Sequence, residues 1–123
     1  DAKNRALAGL SMGGLQTLYA GIKNTAMFSS LGVFSSGWWA NNTKLSDPQY
    51  EFMKNNASTI NGNLKNLWIS MGGKEDIAHA NCQIMMKKFD EMGIKYQYSE
   101  YAGGHTWPVW RHDLFGFSQL LFK

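Results

Sequence analysis

Gly9-Leu10-Ser11-Met12-Gly13 sets a serine between two glycines in the pattern G-x-S-x-G. The apolar run from Arg5 to Leu10 before it reads as a buried parallel strand, and Leu15, Leu18, Tyr19 and Ile22 after it fall at helical spacing. A serine at a sharp turn from strand to helix carries its Oγ on an exposed, strained tip, and glycines on either side keep neighbouring backbone clear. The helix start supplies partial positive charge, and the Met12 backbone N–H can donate to an oxyanion. That combination suits nucleophilic attack on an acyl carbon. The plainer alternative is a glycine-rich turn in which Ser11 only caps a helix.

A serine hydroxyl needs a base within hydrogen-bond reach. Of the three histidines, His105 lies in the loop Gly103-Gly104-His105-Thr106-Trp107 after the last strand-like run. Groups that act on a ligand in an open α/β sheet gather at the carboxyl ends of strands. His79 and His112 fall in or beside helices and read as ordinary surface or half-buried histidines. An acid must then orient the imidazole and stabilise its cation. Asp76 follows a strand and Gly72-Gly73-Lys74-Glu75, again at a carboxyl end. Glu75 is the rival acid, and Asp76 could serve only as a helix N-cap. The order Ser11, Asp76, His105 is that of α/β-hydrolases, and gaps of 65 and 29 residues leave room for the intervening βα units.

The elements that must position these residues alternate. Strands are expected at Arg5 to Leu10, Leu31 to Phe34, Leu64 to Met71 and Lys95 to Tyr101, the last near an edge because Tyr96, Tyr98 and Tyr101 alternate with polar residues. Helices are expected from Met12 to Lys23, from an Asp47 cap with Pro48 in first position to about Asn55, and from Ala78 to Met92 with Gly93 at its end. Asn61-Gly62-Asn63 signals a turn. Pro108 opens a last helix with a stripe of Leu114, Phe117, Leu120 and Leu121. The β-α-β-α-β-α-β-α pattern predicts a parallel sheet of about four strands with helices on both faces.

Composition narrows the function classes. The 123 residues suit one domain, and 44% hydrophobic with 17% charged is ordinary globular usage. A net charge of +3 without a basic run gives no argument for nucleic acid, and no apolar run is long enough to span a bilayer. Cys82 is the single cysteine and, with no base or cationic neighbour, reads as an inert buried thiol; Met85 and Met86 on the same helix face read as core rather than a metal site. No metal or organic cofactor is expected. Trp38-Trp39 follow the second strand, so both are candidates to line the cleft beside Ser11 and bind substrate, since aromatic faces suit a phenolic acyl group or a sugar ring; the plainer alternative is that one is core and the other lies in a loop. Trp107 and Trp110 are expected to pack the last helix and fix the histidine loop. The chain opens on Asp1 and has no leader-like segment before its first strand, so either processing removed upstream sequence or it is a piece of a longer protein, and the motifs favour the second.

GLSMGGLQTLYAG, GVFSSG, GGKED and GGHTWPVWR together resemble the esterase D-like branch of α/β-hydrolases, and more narrowly carbohydrate esterase family one, the feruloyl and acetyl-xylan esterases. The resemblance runs over essentially the whole chain. It implies Ser11 as nucleophile, Asp76 as acid and His105 as base, a feruloyl- or acetyl-decorated plant polysaccharide or its fragments as substrate, and a secreted or periplasmic location. The resemblance further implies an eight-stranded sheet of which residues 1–123 would be the C-terminal half, with about 120 further residues for four absent units. The second oxyanion donor comes from the loop after an early strand, outside this chain. The first strand here becomes an apolar edge that invites self-association.

Two other functions compete with hydrolysis of acylated plant carbohydrate. One keeps the serine chemistry on another ester, such as a siderophore ester, a thioester or an acyl glycoside, or transfers the acyl group. The other is a non-catalytic fragment that needs its N-terminal half.

Overall fold

Each of four short runs becomes a strand because each ends at a serine, glycine or acidic residue that turns the chain into a loop or helix. A computed structural model describes residues 1–123. The strands are β1 (Ala6–Leu10), β2 (Ser30–Phe34), β3 (Asn66–Met71) and β4 (Gln97–Glu100). They are all parallel, in the order β1-β2-β3-β4. The helices are α1 (Met12–Ile22), α2 (Thr43–Asn55), α3 (Ala57–Asn63), α4 (His79–Met92) and α5 (Trp107–Ser118), and a single 3₁₀ turn, Ala2–Asn4, precedes β1.

Register decides the two faces. Leu7, Leu31 and Leu67 lie side by side, as do Gly9, Val33, Ile69 and Tyr98. Alternate residues share a face, and this one carries the main core: Leu15, Leu18 and Ile22 of α1, Tyr50 and Met53 of α2, Ile60 of α3, and Cys82, Met85, Met86 and Phe89 of α4. Strands added in one direction by right-handed crossovers place every connecting helix on the same side. The helix α5 connects no strands and covers the opposite face, where a side chain at Gly32 would press on Phe117 and one at Gly116 on Trp68. Helices thus lie on both faces, four on one and one on the other.

Several expectations change in detail. The helix expected to begin at Asp47-Pro48 begins at Thr43, so Pro48 sits inside α2 and Asp47 is no cap. Pro48 has no N–H for the Lys44 carbonyl, a cost of about 3 kcal/mol. The buried anchors Ser46, Tyr50 and Met53 on one side of α2 override it. The Asn61-Gly62-Asn63 turn is instead the end of α3, whose buried Ile60 holds it to the core. Leu114 does not belong to the buried stripe of α5: it is exposed, and Val109, Asp113 and Phe117 face inward. β1 is only half-buried because it has a partner on one side alone. Gly93 ends α4 with φ 73°, the left-handed conformation that favours glycine.

Candidate active site

Ser11 occupies the turn between β1 and α1 with φ 52° and ψ −121°, a conformation costly for a residue with a side chain. The turn is pinned from outside, since the Ser11 N–H donates to the Phe34 carbonyl at 2.9 Å. Close packing also enforces it: a Cβ on Gly9 would overlap the Gly13 backbone, and one on Gly14 would lie 2.6 Å from the Ser36 Cβ. A side chain at Gly13 itself would meet nothing within 4 Å. The close approaches that need glycine are therefore at Gly9 and Gly14. Met12 is the first residue of α1, so its N–H has no partner within the helix.

The loops after β3 and β4 bring the other two residues to this turn. Gly73 N–H donates to the Gly103 carbonyl at 2.8 Å, and a Cβ on Gly72 would strike the Gly103 and Gly104 carbonyls at 2.6 and 2.8 Å. Two glycine pairs thus let the loops touch backbone to backbone. His105 Nε2 lies 2.9 Å from Ser11 Oγ, and its Nδ1 lies 2.8 Å from Asp76 Oδ1. An ionised carboxylate only accepts, so Nδ1 carries the proton and Nε2 is free to accept from the serine. The Asp76 side chain is wholly buried, and that of His105 is 19% exposed.

Burial alone would push the Asp76 carboxyl up. Hydrogen bonds from the Ser35 hydroxyl (2.6 Å), the Ala78 N–H (2.9 Å), His105 and the Gly72 N–H (3.2 Å) outweigh it and hold the pKa below the ordinary value. The rival Glu75 is exposed and makes no hydrogen bond to a histidine. His79 pairs with Glu100 at 2.9 Å on the surface, and His112 stacks on Tyr101, so neither reaches Ser11.

A pocket of about 220 Å³ opens over Ser11 and His105, lined by Met12, Leu15, Trp39, Ile77, Ala78 and Asn81 among others. Of the two adjacent tryptophans only Trp39 lines it, at 41% exposure. Trp38 is 1% exposed and lies in the core, edge-on to Tyr19 at 4.7 Å with its indole N–H 3.4 Å from Met53 Sδ. Its expected place in the cleft is corrected accordingly, since the chain after β2 turns one ring inward and the next outward. The Trp110 ring packs at right angles to His105 at 5.1 Å, whereas Trp107 is exposed and touches only Trp110 among the aromatics. Burial pushes the Cys82 thiol up to about 12, which keeps it protonated.

Sequence reasoning passed over Ser35, Ile77 and Asn81. Ser35 stands at the carboxyl end of β2, the same kind of position that singled out Asp76 and His105, so that rule could have found it. Ile77 and Asn81 carry no such signal, since they reach the pocket only through the path of the chain into α4.

Comparison with known proteins follows this geometry. An endo-1,4-beta-xylanase/feruloyl esterase of Xylanibacter ruminicola is 28% identical over 123 residues, all of this chain and 15% of that protein. The structure of a ferulic acid esterase superposes with TM-score 0.77 at 19% identity, covering 100% of this chain and 54% of that one. A feruloyl esterase module from Clostridium thermocellum, complexed with sinapinate, superposes with TM-score 0.77 at 20% identity, covering 98% and 46%. The chain thus spans a small part of the curated relative and about half of each solved structure, and the two structural likenesses show a shared α/β fold. The family described as "Putative esterase" matches residues 1–121, from the strand before Ser11 to the end of the last helix, and the chain belongs to that esterase family.

Proposed function

We propose that this chain is the catalytic half of a serine carboxylic-ester hydrolase, with Ser11 as nucleophile, His105 as general base and Asp76 as its orienting acid. The observation that carries the reading is the unbroken hydrogen-bonded chain from Ser11 Oγ through both nitrogens of His105 to a buried Asp76. Ser11 Oγ attacks the ester carbonyl carbon as its proton passes to His105 Nε2, and the carbonyl oxygen becomes an oxyanion directed at the Met12 N–H and the start of α1. The C–O bond then breaks, and the alcohol leaves with the proton from Nε2. A water gives a proton to Nε2 and attacks the acyl-serine, whose collapse returns the proton to Ser11 Oγ and frees the acid. Asp76 stays ionised throughout, which its depressed pKa favours.

The favoured substrate is a feruloyl or acetyl ester of plant cell-wall polysaccharide such as xylan. Support comes from the Xylanibacter relative's name, from the sinapinate held by the Clostridium module, and from the pocket, where Trp39, Met12 and Ile77 offer apolar surface to a phenolic acyl group. Secretion or periplasmic export suits a polysaccharide substrate.

The test is turnover of methyl ferulate and p-nitrophenyl acetate by the chain and by its Ser11→Ala variant. The reading predicts hydrolysis of both esters and a loss of about 10⁴-fold or more on Ser11→Ala. Turnover of the acetate alone would remove the feruloyl preference and leave the ester hydrolase, the outcome expected of a related esterase on another ester. Turnover that survives Ser11→Ala would overturn the site.

A further inference from the structure

We infer that Ser35 and Trp110 are positioning residues that lock Asp76 in the one orientation able to serve His105. The inference rests on the hydrolytic reading of the site. Asp76 Oδ1 faces His105 Nδ1 and the Ala78 N–H. Its Oδ2 receives the Ser35 hydroxyl at 2.6 Å and the Gly72 N–H at 3.2 Å. Beyond His105, Ser35 is thus the only side chain that holds the carboxylate, and it makes the shortest of the four bonds.

The direction of each bond follows from its donors. An indole N–H can only donate and an ionised carboxylate can only accept. Trp110 Nε1–H therefore donates to Ser35 Oγ at 3.0 Å, and the one Ser35 proton is committed to Asp76. Trp110 also packs its ring at right angles to His105, so one side chain braces both the acid's hydrogen-bond donor and the base. A carboxylate with no solvent access cannot replace a lost donor with water. Without the Ser35 hydroxyl its plane would be free to turn, and the His105 ring would lose its aim at Ser11.

The backbone separates this role from simple packing. Ser35 has φ 50°, where glycine is at ease and any side chain is strained. Ser35→Gly therefore relieves strain while removing only the Cβ and the hydroxyl. A structural role predicts a variant at least as active as the parent. A positioning role predicts an active-site defect out of proportion to any change in stability.

The experiment compares the 123-residue chain with Ser35→Gly, Trp110→Phe and the double variant. One arm is the proton NMR signal of His105 Nδ1–H, which does not depend on turnover. The other is kcat and KM for p-nitrophenyl acetate, with thermal melts as control. Expected for Ser35→Gly are a chain that still melts cooperatively, a shifted or broadened Nδ1–H signal, and kcat lower by about 10–100-fold at a KM within about twofold. Trp110→Phe should show a smaller change in the same direction. The double variant should fall by less than the product of the two single losses, because the indole N–H acts through the hydroxyl. An unaltered Nδ1–H signal in Ser35→Gly, or a double variant that falls by the product of the two single losses, would overturn the inference. A parent chain that turns over no ester would instead count against the hydrolytic reading, and the NMR arm would still decide whether Ser35 positions the pair.

Discussion

At the scale of single residues, two neighbours of the site show what burial does. Asp113 on α5 is 1% exposed and neither carboxylate oxygen has a hydrogen-bond partner. Burial pushes its pKa up to about 6; His112 offsets part of the rise and Asp76 adds to it. The folded-state pKa lies above the ordinary 3.8, so the folded chain holds the proton more tightly and stability falls as pH rises from about 4 through 6. Asp113→Asn should therefore be more stable than the parent above pH 6, by up to about 3 kcal/mol, with the gap closing near pH 4. Urea unfolding at pH 4 and pH 8 measures this, and an equal difference at both would refute it. The tryptophan pair makes a second test. Trp38→Ala should destabilise the fold by about 3–5 kcal/mol. Trp39→Ala should leave the melt intact and raise KM for methyl ferulate several-fold, and equal Tm losses in the two would contradict their placement. Ser11, Asp76 and His105 were legible because glycine-rich loops mark the carboxyl ends of strands. Which of two adjacent rings turns inward was not, since that depends on the twist of the chain after β2. Ser35 sits at the same kind of strand end, but its partner Asp76 lies 41 residues away, so its position was legible and its role was not.

At the scale of elements, the turn between β1 and α1 is a steric device. Gly9→Ala would force a Cβ into the Gly13 backbone, which cannot give way as a flexible side chain can. We expect a loss of about 1–3 kcal/mol together with impaired reactivity of Ser11. Gly13→Ala should fold and melt like the parent, because its Cβ would meet open space. The paired melts decide the matter, and a Gly13→Ala defect as large as that of Gly9→Ala would show that the motif acts otherwise. The strands and the helices α1, α4 and α5 were readable from periodicity and end signals. α2 and α3 were misjudged at their boundaries because Pro48 and Asn61-Gly62-Asn63 are strong local breakers. The buried Tyr50, Met53 and Ile60 decide against them, and such tertiary anchoring is invisible to local signals.

At the scale of the molecule, the order β1-β2-β3-β4 leaves β1 unpaired on one side, while α5 is the only helix over the second face. An apolar parallel edge is a template for another strand. Sedimentation at micromolar concentration should show self-association of the isolated chain, and Ala8→Lys, which puts a charge on the exposed middle of β1, should shift it to monomer. A parent that sediments as a clean monomer would contradict this. The whole layout nevertheless brings the ends of three separate loops to one point, which is the centre of the account. The most direct measurement is reaction of the 123-residue chain with a fluorophosphonate, with the adduct located by mass spectrometry. A single adduct on Ser11 is expected, absent in Ser11→Ala and formed far more slowly in His105→Ala. A chain that circular dichroism shows to be folded and that takes no label, or takes it elsewhere than Ser11, would contradict it.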